Sequence, residues 1–408
     1  MSQWITNVTL ETSEQLRTDG SVKTVTDTFH IEVTNEGMIS QITSEFPIDH
    51  VTILYDAAGQ LALPPFKEMH NHLDKTYLTL GWRACQPVDS LSERLAKEAE
   101  ELRELESTTE QRAAAMIERH LDYGVNHIRT HVNIDPYIKL DNLKGVIKAL
   151  DRYSHVVTAD IIAFPQHGLL RDGMPELLEE ALDSGATMLG GLDPAGIDRQ
   201  IEPSLRKTME IAQRYQVDVD FHFHDRDYLG YYTMDKWIDL IEQYNFAQKT
   251  FFSHAFGLAG VGQADLARIV KRMKRHNIAV MSTAPHSINS VIMPPIDYLM
   301  QEGIAVHLGC DGYFDSWSPY VSGDVLEKLN RYNEFSGKID EKSLRKSLGL
   351  VTDGVTPLNQ VGQQQWPNVG DPASFVFVTS SCSAEAVARL PQQRQLMHRG
   401  KLWQKPAK

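Results

Sequence analysis

The chain has 408 residues, of which 42% are hydrophobic and 23% are charged, as in a globular protein with a large core. Its formal net charge of −14 argues against nucleic acid or an anionic membrane as a partner, because phosphate binding needs basic surface. There is also no stretch of about twenty apolar residues, so we expect no membrane partner and no membrane-spanning segment.

The first part of the chain is predicted to form short strands. Residues 4–10, 28–33 and 38–42 alternate apolar with polar side chains, and turn residues such as Gly20 and Gly37 lie between them. This pattern predicts a small antiparallel layer over residues 1–63. We find no catalytic pattern in it.

From residue 64 the pattern changes to short apolar strands that alternate with amphipathic helices. The predicted strands are residues 61–72, 126–134, 155–164, 186–192, 217–224, 250–254, 278–282 and 304–311. The predicted helices between them include residues 91–106, 175–183, 203–213, 234–243 and 262–275. The alternation predicts an α/β fold in which residues 64–354 form a (β/α)8 TIM barrel, with a functional site at the C-terminal ends of its strands.

After about residue 354 the alternation stops. Residues 369–373 read as a turn, 374–378 as a strand and 396–403 as a closing hairpin. We therefore expect residues 1–63 and 355–408 to form one composite β-sandwich domain beside the barrel.

The cysteines indicate the cellular compartment. Cys85, Cys310 and Cys382 are widely spaced and odd in number, which is typical of a reducing cytosol and not of a disulfide framework. The first residues lack a basic segment followed by an apolar run, so no signal peptide is evident. These features predict a cytoplasmic protein.

One motif suggests a metal site. His70 and His72 close the first predicted barrel strand, and residues i and i+2 of a strand project from the same face. Two neighbouring imidazoles suit zinc or another divalent metal. A lone His-x-His is common, however, and two ordinary strand histidines are the alternative.

Other predicted strand ends carry polar residues of the same kind. The fifth strand ends in His222, His224 and Asp225, the sixth ends in His254, and the eighth ends in Asp311. The C-terminal ends of barrel strands meet at one mouth, so these side chains should converge with the first pair. Their joint position predicts a metal site with nitrogen and oxygen ligands.

This order of residues resembles the amidohydrolase superfamily, over nearly the whole chain. The stretches 70–75, 128–132, 163–166 and 311–319 are similar to its cytosine-deaminase-like branch. Within that branch, residues 72–75, the pair His222 and His224, and Trp317 look most like the aminohydrolases that remove an alkylamine from a triazine ring.

The resemblance implies a ligand set of His70, His72, His222 and Asp311. His222 is preferred to His224 because it lies three residues before Asp225, similar to a His-x-x-Glu pattern of cytosine deaminases. Members with two metals use a lysine on strand four, which residues 187–193 lack, so we expect one divalent ion. Zinc is expected, with iron or manganese as alternatives.

The resemblance also implies catalytic residues. A metal lowers the pKa of bound water toward neutrality, and Asp311 and His254 could accept its proton. The leaving nitrogen needs a proton donor, for which Asp225, Lys75 and His254 all remain open. Asp225 occupies the place of a longer glutamate in cytosine deaminases, and its alternative role is a rim carboxylate that holds a neighbour.

For substrate contacts we predict Gln166, Lys75, His224 and Trp317. The amide of Gln166 offers both a donor and an acceptor to a ring edge, and the alternative is an exposed loop residue. Lys75 could instead form a salt bridge with Asp74 or Asp135. His224 could support a ligand through a hydrogen bond, and Trp317 could be plain core packing.

Gly312 follows the metal aspartate where cytosine deaminases usually have a second aspartate. Its lack of a carboxylate predicts a larger pocket and argues against cytosine itself as the substrate.

Together these features predict a metal-dependent aminohydrolase (deaminase) that cleaves an exocyclic C–N bond of a cytosine-like or aminotriazine-like heterocycle, releasing ammonia or an alkylamine. The alternatives are a hydrolase of linear or cyclic amides from the same superfamily, and a metal-binding relative that has lost catalysis. The expected partner is a small nitrogen heterocycle, and we expect a homo-oligomer.

Overall fold

The computed structural model describes residues 2–46, 51–283 and 292–406. It begins with five strands, which are β1 (Ser2–Leu16), β2 (Val22–Val33), β3 (Ile39–Thr43), β4 (Val51–Asp56) and β5 (Leu61–Leu63). β1 and β2 pair in antiparallel register and β2 continues to β3. The antiparallel N-terminal layer predicted from the alternation is present, and its first two strands are longer than expected.

A parallel barrel follows. Its eight strands are β6 (Phe66–Asn71), β7 (Val125–Asn133), β8 (Thr158–Phe164), β9 (Met188–Leu192), β10 (Asp218–His222), β11 (Thr250–Ser253), β12 (Ala279–Ser282) and β13 (Val306–Leu308). They are hydrogen-bonded to one another in chain order. This confirms the predicted (β/α)8 TIM barrel.

The helices lie between the barrel strands and after them. They are α1 (Leu91–Leu105), α2 (Thr109–Asp122), α3 (Asp141–Tyr153), α4 (Met174–Asp183), α5 (Ile201–Tyr215), α6 (Asp227–Tyr244), α7 (Gln263–Arg275), α8 (Ile296–Gln301), α9 (Val325–Phe335), α10 (Glu341–Ser347) and α11 (Ser383–Arg389). Within the described ranges no helix combines the length and apolar character that crossing a membrane requires.

The chain ends with β14 (Phe375–Val378), β15 (Arg394–His398) and β16 (Lys401–Leu402). The last two form the predicted closing hairpin, and β14 pairs with β5. Both chain ends therefore share one sheet, which encloses an apolar core of its own. The proposed boundaries at residues 63/64 and 354/355 stay a prediction.

One predicted strand was wrong. Residues 61–72 form two strands in two different sheets, because β5 joins the sheet of the chain ends and β6 opens the barrel. Pro64 and Pro65 lie between them. A proline has no backbone N–H to donate to a strand ladder, so the pair ends one sheet before the next begins.

Alternation along β10 shows how the barrel positions polar groups. Phe221 points outward and packs its ring 4.7 Å from that of Trp237 in α6. The residues on either side, Asp220 and His222, are buried and project to the other face, into the barrel. A strand with one apolar face thus delivers a carboxylate and an imidazole to the interior.

Barrel closure brings the first and last strands together. Asn71 and Asp311 form a parallel bridge, and the Asp311 N–H donates to the His70 carbonyl at 2.8 Å. Beneath this contact, the buried carboxylate of Glu68 accepts from the N–H groups of His70 and Cys310, at 3.1 and 3.0 Å. The closure itself therefore sets the distance between two of the predicted metal ligands.

Candidate metal centre and active site

Five side chains converge at the C-terminal ends of the strands. His70 lies in β6 and His72 just after it, His222 ends β10, His254 follows β11, and Asp311 follows β13. The four histidines are buried, and the Asp311 side chain is 13% exposed. The convergence expected from the strand ends is present.

Their donor atoms form two overlapping groups, each close enough to hold an ion. His70, His222 and His254 offer ring nitrogens within 4.8 Å of one another, as do His70, His72 and Asp311 with a carboxylate oxygen. The Nε2 atoms of His70 and His72 lie 3.8 and 3.4 Å from Oδ1 of Asp311. His70 belongs to both groups, so the two form one cluster.

Hydrogen bonds orient two of these rings. The Nδ1 of His72 lies 3.1 Å from the backbone oxygen of His131, and the Nδ1 of His70 lies 2.9 Å from Oγ of Ser253. Ser253 donates in turn to Asp220 at 2.6 Å. In both rings Nδ1 makes this contact and Nε2 points toward Asp311. In metal sites, a hydrogen bond to one ring nitrogen commonly orients the other nitrogen toward the metal.

The environment of His222 indicates that the site suits a metal ion. Its ring is buried, and neither of its nitrogens has a hydrogen-bond partner among the residues that the structure describes. Burial, with neighbouring imidazoles adding to it, holds the pKa of His222 well below its usual range, so the ring is neutral. A buried, neutral, unpartnered imidazole among similar donors fits a divalent cation.

Asp220 is a site residue that sequence reasoning missed. Burial raises its pKa to about 7, although Arg129 and the Ser253 hydroxyl both act to lower it. The sequence did contain an indication of this role. Asp220 lies two residues before His222, so it points into the barrel, where an apolar side chain is usual.

A cavity of about 290 Å³ lies beside the cluster. Its lining residues include every predicted substrate-contact residue, three aromatic side chains and most of the metal cluster. They are His72, Lys75, Phe164, Gln166, His222, His224, His254, Phe256, Asp311, Gly312, Asp315 and Trp317. A small pocket with flat aromatic walls and few polar groups suits a planar ring.

Lys75 and Gln166 form the polar end of this cavity. The Lys75 ammonium donates to Oε1 of Gln166 at 3.1 Å and lies 3.3 Å from Oε1 of Glu98. Both residues are 4% exposed, so Gln166 is not the exposed loop residue of the alternative interpretation. The acidic partner of Lys75 is Glu98 of α1, and not Asp74 or Asp135.

Trp317 is held by the same carboxylate. Its indole Nε1 donates to Oε1 of Glu98 at 2.6 Å, while the side chain remains 38% exposed beside the cavity. A half-exposed indole anchored by its N–H forms a wall and not a core contact. Glu98 was missed because it lies in a charge-rich helical run that reads as a solvated face.

His224 lines the cavity next to Asp193. Oδ1 of Asp193 accepts the His224 backbone N–H at 2.6 Å, and Oδ2 lies 2.8 Å from the ring Nδ1. Burial lowers the pKa of His224, but the Asp193 carboxylate raises it by more, and the net pKa is above its ordinary value. The ring of His224 lies 4.1 Å from that of His254.

Asp225 does not line the cavity. Burial, together with the charge of Asp193, raises its pKa to about 6. Its Oδ1 lies against Gly196, 3.0 Å from where a Cβ there would stand. Its backbone N–H donates to Oδ1 of Asp193 at 3.3 Å, and its catalytic role stays a prediction.

The volume that Gly312 leaves free is filled by another side chain and does not enlarge the cavity as expected. We predicted a larger pocket there, but Oδ2 of Asp315 lies 2.2 Å from where a Cβ of residue 312 would stand. Asp315 was not a candidate in the sequence, although it lies in the stretch 311–319 that carries part of the family resemblance. A carboxylate thus occupies the place that the glycine leaves free.

The fold and the cluster define a class: a (β/α)8-barrel protein whose strand ends carry a histidine and aspartate site that can hold a metal ion. Residues 102–396 match the model of the amidohydrolase family. The chain is also 36% identical to the uncharacterized protein YahJ of Escherichia coli (strain K12), over 98% of this chain and 87% of that one. The chain belongs to the amidohydrolase family.

The solved structures that are similar to it include the following two. N-isopropylammelide isopropylaminohydrolase from Burkholderia multivorans is 28% identical, with a TM-score of 0.83 and 98% of both chains covered. 5-Methylcytosine deaminase from Klebsiella pneumoniae is 23% identical, with a TM-score of 0.79 over 100% of this chain and 99% of that one, a likeness that shows the fold. The resemblance identified in the sequence, to the cytosine-deaminase-like branch and within it to the isopropylaminohydrolase, is confirmed.

Proposed function

We propose that the protein is a metal-dependent aminohydrolase that cleaves an exocyclic C–N bond of a cytosine-like or aminotriazine-like ring and releases ammonia or an alkylamine. The observation that carries the proposal is the position of the cluster of four histidines and Asp311 beside an aromatic cavity of about 290 Å³. The likeness to an isopropylaminohydrolase at 28% identity over nearly the full chain supports it.

His70, His72, His222 and Asp311 would hold one divalent ion. When bound, the ion supplies the acidity that makes water a nucleophile near neutral pH. β9, Met188–Leu192, contains no lysine to bridge a second ion, which supports a single one. Nitrogen and oxygen donors suit zinc, iron or manganese, and we propose zinc.

His254 and Asp311 are the proposed pair for moving a proton. Nε2 of His254 lies 3.9 Å from Oδ2 of Asp311, and Nδ1 lies 3.3 Å from the Thr283 hydroxyl. Asp311 can accept a proton from the attacking water, and His254 can carry it toward the leaving nitrogen. Asp225 is not among the residues that line the cavity, so we propose a positioning role for it beside Asp193, which accepts its backbone N–H.

Lys75, Gln166, His224 and Trp317 would bind the ring. Because Oε1 of Gln166 already accepts from Lys75, its amide N–H groups are the ones left to donate to a ligand. The Lys75 ammonium can donate to a ring carbonyl or protonate a ring nitrogen. Trp317 and Phe164 flank Lys75, with ring centroids 5.8 and 5.7 Å from Nζ.

The test is a release screen with metal-analysed protein. Aminopyrimidines, aminotriazines (some carrying N-alkyl groups) and pterins are incubated with the enzyme, and ammonia and amines are quantified. Release from at least one aminated ring is expected. No release from any of them, with hydrolysis of cyclic or linear amides instead, would replace this proposal by amide hydrolysis.

The cytoplasmic location, the homo-oligomer and the lack of a nucleic-acid partner stay predictions from the sequence.

A further inference from the structure

The loop after β13 contains a buried carboxylate that the proposed mechanism does not use. Asp315 is 1% exposed and lines the cavity. Its Oδ1 accepts the backbone N–H groups of Trp317 and Ser318, at 2.8 and 3.0 Å. These two bonds fix the orientation of the carboxylate, so its second oxygen has a defined direction.

That second oxygen has no partner. Oδ2 of Asp315 makes no hydrogen bond to any residue in the part of the chain that the structure describes. Burial raises the pKa of Asp315 to about 7, although the Trp317 and Ser318 donors and the Lys75 charge lower it. A buried oxygen without a donor is costly. Because Asp315 lines the cavity, a ligand bound there can supply that donor.

Gly312 makes room for this oxygen. A Cβ at residue 312 would stand 2.2 Å from Oδ2 of Asp315, well inside van der Waals contact. Since Oδ1 is fixed by two backbone donors, the carboxylate could not move aside without breaking them. Gly312 and Asp315 are therefore a coupled pair, in which the small residue is needed for the placement of the acidic one.

We propose that Asp315 is a specificity-determining residue, whose Oδ2 accepts a hydrogen bond from a ring N–H or amino group of the substrate while Lys75 donates to an adjacent carbonyl. This acceptor and donor select rings that present N–H beside C=O. The inference rests on the proposed function for the identity of the bound ring, but its test does not require turnover.

The experiment measures binding of rings that have no amino group to lose. Uracil and isocyanuric acid are titrated into the metal-loaded enzyme by calorimetry, with 1,3-dimethyluracil as the ring whose N–H donors are blocked. Asp315→Asn is the main variant, because asparagine keeps an oxygen for the Trp317 and Ser318 donors and changes only the second atom. Binding of uracil or isocyanuric acid should weaken about 10- to 100-fold, the loss expected for a hydrogen bond to a charged group.

Matched controls separate binding from folding. Asp135 is also buried and accepts two backbone donors on one oxygen, from Tyr137 and Ile138, but it does not line the cavity. Asp135→Asn should leave the Kd unchanged. Metal content and thermal unfolding of each variant show whether the site and fold persist.

A double-mutant comparison of Gly312 and Asp315 gives a second measurement of ring binding. Gly312→Ala should weaken binding of the same rings about 10-fold or more in the wild-type background and have much less effect when Asp315 is already Asn. Gly262→Ala is the control, since a Cβ there meets only Tyr228 at 3.6 Å.

The inference is overturned if wild-type enzyme binds neither ring, if Asp315→Asn binds both with unchanged Kd, or if 1,3-dimethyluracil binds as well as uracil. A protein that binds as expected but releases no amine from any substrate would retain this inference and lose the proposed function.

Discussion

Nε2 of His254 lies 3.9 Å from Oδ2 of Asp311, and both residues hold left-handed backbone conformations, with φ of 64° and 66°. Non-glycine residues adopt this region at a cost, and such residues cluster at functional sites. The two turns aim an imidazole and a carboxylate at the same point from the ends of β11 and β13, which lie on either side of β12.

Asp311→Asn tests this pair. Asparagine cannot accept the proton of the attacking water, so kcat should fall at least about 100-fold, while ring binding persists. Turnover of the substrate found in the release screen is measured beside metal content. Turnover equal to that of the wild type would remove Asp311 from the mechanism.

Ser253→Ala tests how His70 is oriented. The substitution removes the hydroxyl that joins the His70 ring to Asp220, so affinity for the metal should weaken about 10- to 100-fold. Competition with a chromogenic chelator measures this affinity. Ser204→Ala is a matched control, because that buried serine also donates to an aspartate, Asp198, at 2.6 Å but lies in α5. Equal affinity in the two variants would contradict the prediction.

Lys75→Met separates the stability role of Lys75 from its function. The variant leaves Glu98 buried without its cation, which should lower the free energy of unfolding by about 3 to 5 kcal/mol. Adding Glu98→Gln should restore much of that loss in denaturant unfolding, because no unpaired charge remains. Turnover should stay low in both variants, since the ammonium proposed to contact the ring is gone. Recovered turnover in the double variant would mean that Lys75 acts only on stability.

Asp225→Asn should change how the free energy of unfolding depends on pH. The pKa of Asp225 is raised from 3.8 to about 6 in the folded protein, so the folded state holds a proton that the unfolded state has lost between these values. The Asp225 contribution to stability therefore falls as pH rises through this window. The variant lacks the effect and should be more stable than the wild type above pH 6. The gain should be well below the value of about 3 kcal/mol that the full shift would give, because solvent screens this partly exposed carboxylate. Urea unfolding at pH 4 and pH 7.5 measures this, and an identical difference at both pH values would refute it.

The sequence predicted the site because polar residues at the ends of apolar strands are easy to recognise. His70, His222, His254 and Asp311 each follow or end such a strand, and a parallel barrel brings those ends together. The same reasoning failed for residues 61–72, where hydrophobicity alone could not show that a proline pair separates two sheets.

Residues outside the strand ends were harder to predict. Glu98 and Asp315 come from a helix and a loop, and only tertiary packing brings them to Lys75, Trp317 and the cavity. Nothing in the local sequence of either residue indicates burial. Gly312 was noticed, but the sequence could not show that the carboxylate three residues later takes its space.

The most direct test of the metal centre is to measure metal content and amine release together, before and after chelation. The wild type should contain about one divalent ion per chain, lose activity when the ion is removed and regain it when zinc is restored, while His222→Ala should bind the ion weakly and stay inactive. Metal-free protein that still releases amine at the wild-type rate would contradict the account.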